Sequence, residues 1–105
     1  MHIMIVNFSL KGVTETEYFG LCDELAPAFA AVPGLVSKSW LADAQTNTYG
    51  GVYVWESLQA MEDFKATELF NSVATHPNLE NISAREFGVM DGPSRVTRGH
   101  VSAVA

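Results

Sequence analysis

Cysteine is almost missing from this chain. Cys22 stands alone, so no internal disulfide can form, which suits a reducing compartment. Basic residues are scarce as well, 6 Lys and Arg against 12 Asp and Glu, and the net charge is -6. That balance, with no Lys/Arg run, repels nucleic-acid phosphates and anionic lipid, so neither is expected as a partner. No segment approaches the roughly 20 apolar residues of a membrane span, and the N-terminus lacks the basic and apolar regions of a signal peptide. The expected location is the cytoplasm. His2, His76 and His100 have no metal-ligand spacing, and the acidic residues form no convincing catalytic pair. Gly50-Gly51 precedes strand residues, not the helix that a phosphate-binding loop requires. No cofactor and no metal are expected.

What is present suffices for one small domain: 105 residues, 48% of them hydrophobic. His2 to Leu10 is short and rich in β-branched residues, which argues for a strand. Met4, Val6, Phe8 and Leu10 share one face of it; Ile3, Ile5, Asn7 and Ser9 share the other. Thr14 and Glu17 have capping-box spacing, and the helix after them carries Tyr18, Leu21, Cys22, Leu25 and Phe29 as one stripe. Pro27 inside that run predicts a kink, a weakened turn or an earlier end. Pro33-Gly34 stops the helix.

Leu35–Leu41 and Thr48–Trp55 read as two strands joined by a polar turn. The glycines at 50 and 51 leave room for a bulky neighbour, a bulge or a bound group. Ser57 and Thr67 are candidate caps for two short helical pieces, and His76-Pro77-Asn78 breaks the second. Leu79–Met90 contains the last strand. The order β-α-β-β-α-β predicts an α+β, ferredoxin-like fold with a four-stranded antiparallel sheet and helices on one face. Residues 1–91 form the single domain, and 92–105 a tail that is flexible or lies on a partner. The uncovered sheet face, with Ile3, Ile5, Leu35, Leu41, Val52 and Val54, calls for a second copy, hence a homodimer.

The candidate site residues fall into two groups. Trp40, Tyr49, Tyr53 and Trp55 in the hairpin, with Phe64 in the next helix, either fill the core or wall a flat pocket for a small hydrophobic or aromatic molecule. Arg85 and Asn7 are polar residues in the middle of two strands that this fold places side by side. An arginine stabilises a developing oxyanion and an asparagine donates to a carbonyl, so the pair is a catalytic candidate; an inter-subunit ion pair and an edge hydrogen bond are the plainer alternatives. His76 is a reserve general base if its loop reaches the pocket mouth. Lys38 alternates with Val36 and Trp40 and is read as snorkelling from an exposed edge in preference to entering the pocket.

Pro33-Gly34 leading to Lys38-x-Trp40, then Gly50-Gly51-Val52-Tyr53, then Arg85-x-Phe87-x-Val89, resembles the YdhR-like monooxygenases, within the dimeric α+β barrel group that includes the antibiotic-biosynthesis monooxygenases. The likeness covers roughly residues 3 to 91 and includes a proline in the first helix. It implies a homodimer with one cavity per subunit between sheet and helices. It also implies oxidation of polycyclic phenols by molecular oxygen without flavin, haem or metal, the substrate supplying electrons through its own carbanion. By type and strand placement, Asn7, Trp40, Tyr53, Trp55 and Arg85 are the matches to the side chains that orient substrate in such relatives. Two functions follow: a cofactor-independent monooxygenase or related small-molecule enzyme acting on an aromatic or polyketide-like substrate, and a non-catalytic homodimer that binds a hydrophobic metabolite.

Overall fold

In the computed structural model, which describes residues 1–99, four strands form one antiparallel sheet in the order β2-β3-β1-β4. These are β1 (His2–Leu10), β2 (Leu35–Asp43), β3 (Thr48–Trp55) and β4 (Leu79–Gly88). Helix α1 (Glu15–Ala30) links β1 to β2, and α2 (Leu58–Lys65) with α3 (Glu68–Ala74) links β3 to β4. This is the ferredoxin-like arrangement that the element order predicts.

The local signals behave as their chemistry requires. Thr14 Oγ1 accepts from the Glu17 N–H at 3.1 Å while Glu17 Oε1 accepts from the Thr14 N–H at 3.0 Å, a complete capping box. Those two bonds favour the Glu17 carboxylate and hold its pKa below the usual value. Ser57 and Thr67 cap α2 and α3 by accepting from Ala60 N–H and Phe70 N–H. Asn47, at φ 51°, turns the β2–β3 hairpin, and its amide clamps the N–H and C=O of Leu10 at the end of β1.

Two expectations need correction. Helix α1 does not end early at Pro27; it runs on to Ala30, with Pro27 on its exposed side. Leu35 does not belong to the uncovered sheet face, because a register irregularity between Leu35 and Ser37 turns it onto the core. Asp91–Val96, largely within the span expected as a C-terminal tail, forms a short helix, α4; residues 100–105 of that tail lie outside the described residues.

Strand alternation then sorts the sheet into two faces. Met4, Val6, Phe8 and Leu10 of β1 join Tyr49, Tyr53 and Trp55 of β3, Tyr18 and Phe29 of α1, and Met61 and Phe64 of α2 in one buried cluster. The other face carries Ile3, Ile5, Val52 and Val54, all half-buried, with Phe87 exposed opposite Ile3. No helix of the described residues is long and apolar enough to cross a membrane.

Candidate functional site

The covered face is not packed evenly. Toward α2 it is solid: Trp55, Phe64, Met4 and Met61 are under 2% exposed. Tyr53 and Trp55 stack with their planes 3° apart, and Phe64 lies 5.1 Å from the Trp55 ring. Toward α1 and α3 the same face opens into a cavity of about 190 Å³. Its walls are the α1 stripe (Tyr18, Leu21, Cys22, Leu25, Phe29), the strand residues Phe8, Lys38, Trp40, Gly50 and Tyr53, and the α3–β4 corner with Ser72, Val73, His76 and Leu79. Two shallower grooves beside α1 share Trp40 with the cavity.

Sequence-expected site residues divide between these regions. Trp40, Tyr53 and His76 line the cavity. Trp55 and Phe64 do not; they are core, closed off by stacking and by Met61. The Trp55 indole N–H is buried without a hydrogen-bond partner among the described residues. Tyr49 is also core, edge-on to Tyr18 at 5.3 Å, with its hydroxyl donating to Glu15 Oε2 at 2.5 Å. That bond pushes its pKa up to about 12.

The structure also leaves Asn7 and Arg85 away from the cavity. Asn7 alternates with Val6 and Phe8 and so takes the uncovered face; its Nδ2 donates to the Tyr49 carbonyl at 3.4 Å. Arg85 sits opposite Ile5 on that same face, exposed, with its guanidinium 5.4 Å from the Phe87 ring. Both residues are on neighbouring strands as the topology requires, yet the sheet separates them from the aromatic void. Strand parity is the physical reason: an odd-numbered β1 residue cannot share the side of Phe8.

Lys38 departs furthest from its expected edge position. It lies opposite Tyr53 on the covered side, and its Nζ is 3.4 Å from the Phe29 ring centroid, 3.4 Å from that of Trp40 and 4.7 Å from that of Tyr53. Both salt bridges among the described residues belong to Lys65, and Lys38 has no hydrogen bond or carboxylate partner among them. Burial therefore pulls its pKa down to about 7, with nearby Cys22 opposing. The ring faces also favour the ammonium, by up to about 2 kcal/mol when desolvated. Gly51 makes the arrangement possible: a Cβ there would come within 2.7 Å of Lys38 Cε. The bulky neighbour for which Gly51 leaves room is thus the lysine stem, whereas Gly50 lies against the Val6 backbone. The signal available in the sequence is the shared parity of Lys38 and Trp40, with a glycine opposite.

The phenols and the thiol of the cavity stay protonated. Burial raises the pKa of Tyr18, which also bonds to Cys22, and that of Tyr53. Burial raises Cys22 too, against the pull of Tyr18 and Lys38. His76 Nδ1 accepts from the Asn78 backbone N–H at 3.1 Å. With Nδ1 occupied as an acceptor, the neutral imidazole carries its hydrogen on Nε2, which is left to donate. No group of three or more His, Cys, Asp or Glu side chains suited to a metal ion occurs among the described residues.

Comparison with solved structures finds the fold in well-defined relatives. SnoaB, a cofactor-independent oxygenase from Streptomyces nogalater, is 23% identical with a TM-score of 0.65, over 84% of this chain and 92% of that one. The heme-degrader MhuD from Mycobacterium tuberculosis, determined with two hemes in its active site, is 21% identical with a TM-score of 0.69, over 86% and 96%. A search of curated proteins returns no match. The family match runs past the expected limit at residue 91, through α4: the model described as "Putative mono-oxygenase ydhR" matches residues 3–100, and the chain belongs to that family.

Proposed function

We propose that this protein is a cofactor-independent monooxygenase, or a closely related small-molecule enzyme, acting on an aromatic or polyketide-like substrate held in the cavity between α1, α3 and the sheet. The observation that carries the reading is an aromatic-walled cavity of about 190 Å³ that holds one amine and one imidazole. That volume lies below the roughly 300–1,000 Å³ of drug-sized ligand sites. A flat bicyclic or tricyclic ring fits if Trp40, 38% exposed and shared with both grooves, swings to join them. In this proposal Trp40, Phe29 and Tyr53 clamp the ring, the Tyr53 hydroxyl and His76 Nε2–H donate to its oxygens, and Lys38 supplies positive charge. Haem breakdown, named for the mycobacterial neighbour, asks for a far larger opening.

The placement of Asn7 and Arg85 favours the second reading, a homodimer that binds a hydrophobic metabolite without reaction. It removes the polar pair that motivated catalysis, and the case for an enzyme then rests on Lys38 and His76. In either reading we place the second subunit on the face bearing Ile3, Ile5, Val52 and Val54, where Arg85 and Asn7 would meet the partner. A free Cys22 and the absence of any spanning helix among the described residues agree with a cytoplasmic location.

Purified protein incubated with a panel of hydroxyquinones and anthrones separates the readings. Oxygen uptake above the spontaneous rate, reduced at least ten-fold in Trp40→Ala, supports the enzyme. Tight binding with no uptake supports the binder, and absence of both defeats the cavity as a site. Sedimentation at low micromolar concentration tests the dimer; a clean monomer of 11.4 kDa would overturn it.

A further inference from the structure

Within the proposed enzyme reading, on which this inference rests, we infer that Lys38 is the proton acceptor that converts a bound enolisable ketone or phenol into its anion, and that the resulting ammonium then holds the anion's oxygen. The step balances simply. The Nζ lone pair takes the proton from the acidic C–H or O–H of the ligand, that bond's electron pair stays on the ligand, and the two charges pair inside the cavity. No oxidant or metal enters this step.

Three independent observations support it. The first is position: Nζ lies against the faces of Phe29, Trp40 and Tyr53, which are the surfaces that a flat ligand would use. The second is the missing counter-ion. Neither an ion pair nor a hydrogen bond ties the amine among the described residues; only the ring faces and nearby Cys22 favour its charged form, and an anionic ligand would complete the pair. The third is that the sheet is shaped for it, since Gly51 omits the side chain that would displace Lys38 Cε.

The surroundings leave the acceptor role to this amine. From α1, Tyr18 and Cys22 face it with their protons held on by burial; Asp23 lies in the neighbouring groove. From β3, Tyr53 is likewise protonated. From the α3–β4 corner, His76 presents a donor because Nδ1 is taken by Asn78. With its pKa near 7, Lys38 has a free lone pair in a large share of molecules at neutral pH, and becomes a cation after accepting.

The test uses anthrone as the probe, first without oxygen. Wild-type protein should raise the absorbance of the anthrone anion, with a midpoint near pH 7 for its appearance. Lys38→Met, which keeps the stem, should lower that signal at least ten-fold when compared with wild type at equal occupancy by anthrone. Gly51→Ala, which displaces the amine without removing it, should fall between. NMR titration of 13C-methylated lysines in the wild-type chain should give one resonance with a midpoint well below the other two, rising when anthrone binds. The inference is overturned if the wild type forms no anion, if Lys38→Met forms it equally, or if all three lysines titrate together. Admitting oxygen separates the two claims. Anion without oxygen uptake defeats the oxygenase reading and keeps Lys38 as acceptor; equal uptake by wild type and Lys38→Met does the reverse.

Discussion

At one end of the covered sheet face, Tyr53 and Trp55 stack and Phe64 closes on them at a tilt; at the other, Phe29, Trp40 and Tyr53 surround a lysine and an open cavity. The residue types are nearly the same, and Tyr53 belongs to both. What differs is the backbone beneath them and the side chain between them. Beside the stack, Met4 and Met61 are fully buried, and a flexible thioether adapts to irregular space. Under the cavity, β3 has Gly51 in place of a filling side chain, and the edge strand β2 sends in a charged stem. An aromatic cluster thus becomes core or site according to whether something small and something polar sit beside it.

The sharpest way to break this comparison is to remove an aromatic from each end. Trp55→Ala should cost about 3–5 kcal/mol in urea unfolding, because a fully buried indole leaves a void its stacked neighbours cannot refill. Trp55→Phe should cost much less, since it also removes a buried N–H that lacks a partner. Trp40→Ala, at a partly exposed edge, should cost about 1 kcal/mol while weakening aromatic ligands. Equal losses at Trp55 and Trp40 would mean that the two ends are packed alike.

The glycine pair divides the same way at smaller cost. Gly50 has φ 147°, and a Cβ there would overlap the Val6 carbonyl oxygen, which belongs to a paired strand and cannot retreat. Gly50→Ala should therefore destabilise by about 2–3 kcal/mol. At Gly51 the obstacle is the end of a flexible side chain, so Gly51→Ala should change stability by under about 1 kcal/mol while moving Lys38. A large loss at both positions would show that Gly51 serves the backbone and not the lysine.

Much of this is readable from periodicity. The alternation of β1, the capping box at Thr14 and the α1 stripe depend on neighbours two to four residues apart, and each holds in the structure. The face of Asn7 is also readable, by parity with Ile5. What is not readable is which face holds the void. That depends on helix placement over the sheet and on the volume left by side chains from four elements, a non-local sum. Lys38 escapes a sequence reading for a related reason: a lysine's reach lets it either snorkel or turn inward, and the deciding neighbour, Gly51, belongs to the next strand. Trp55 and Trp40 look equivalent in sequence, and only Met61 and Phe64 above the first tell them apart.

A further effect, of the same small size as that of Gly51→Ala, is a pH dependence that belongs to the cavity end alone. Lys38 titrates near 10.5 when unfolded and near 7 when folded. Between those values the unfolded chain binds more protons at this position, so stability rises with pH across that window; below about 7 both states are charged and the rise ends. Above about 10 the raised tyrosines Tyr18, Tyr49 and Tyr53 act in the opposite sense on their own account, because the unfolded chain releases those protons first. The usable range is therefore about pH 6 to 9. Lys38→Met abolishes the contribution and leaves the other titrations in place, so the stability difference between variant and wild type isolates it. The variant should gain on wild type most at pH 6, with the gap narrowing by about 1 kcal/mol by pH 9, after discounting for solvent reaching the amine and for its ring contacts. Parallel urea midpoints at pH 6, 7, 8 and 9 would place the amine in water, and the cavity end would then differ from the stacked end in packing but not in charge.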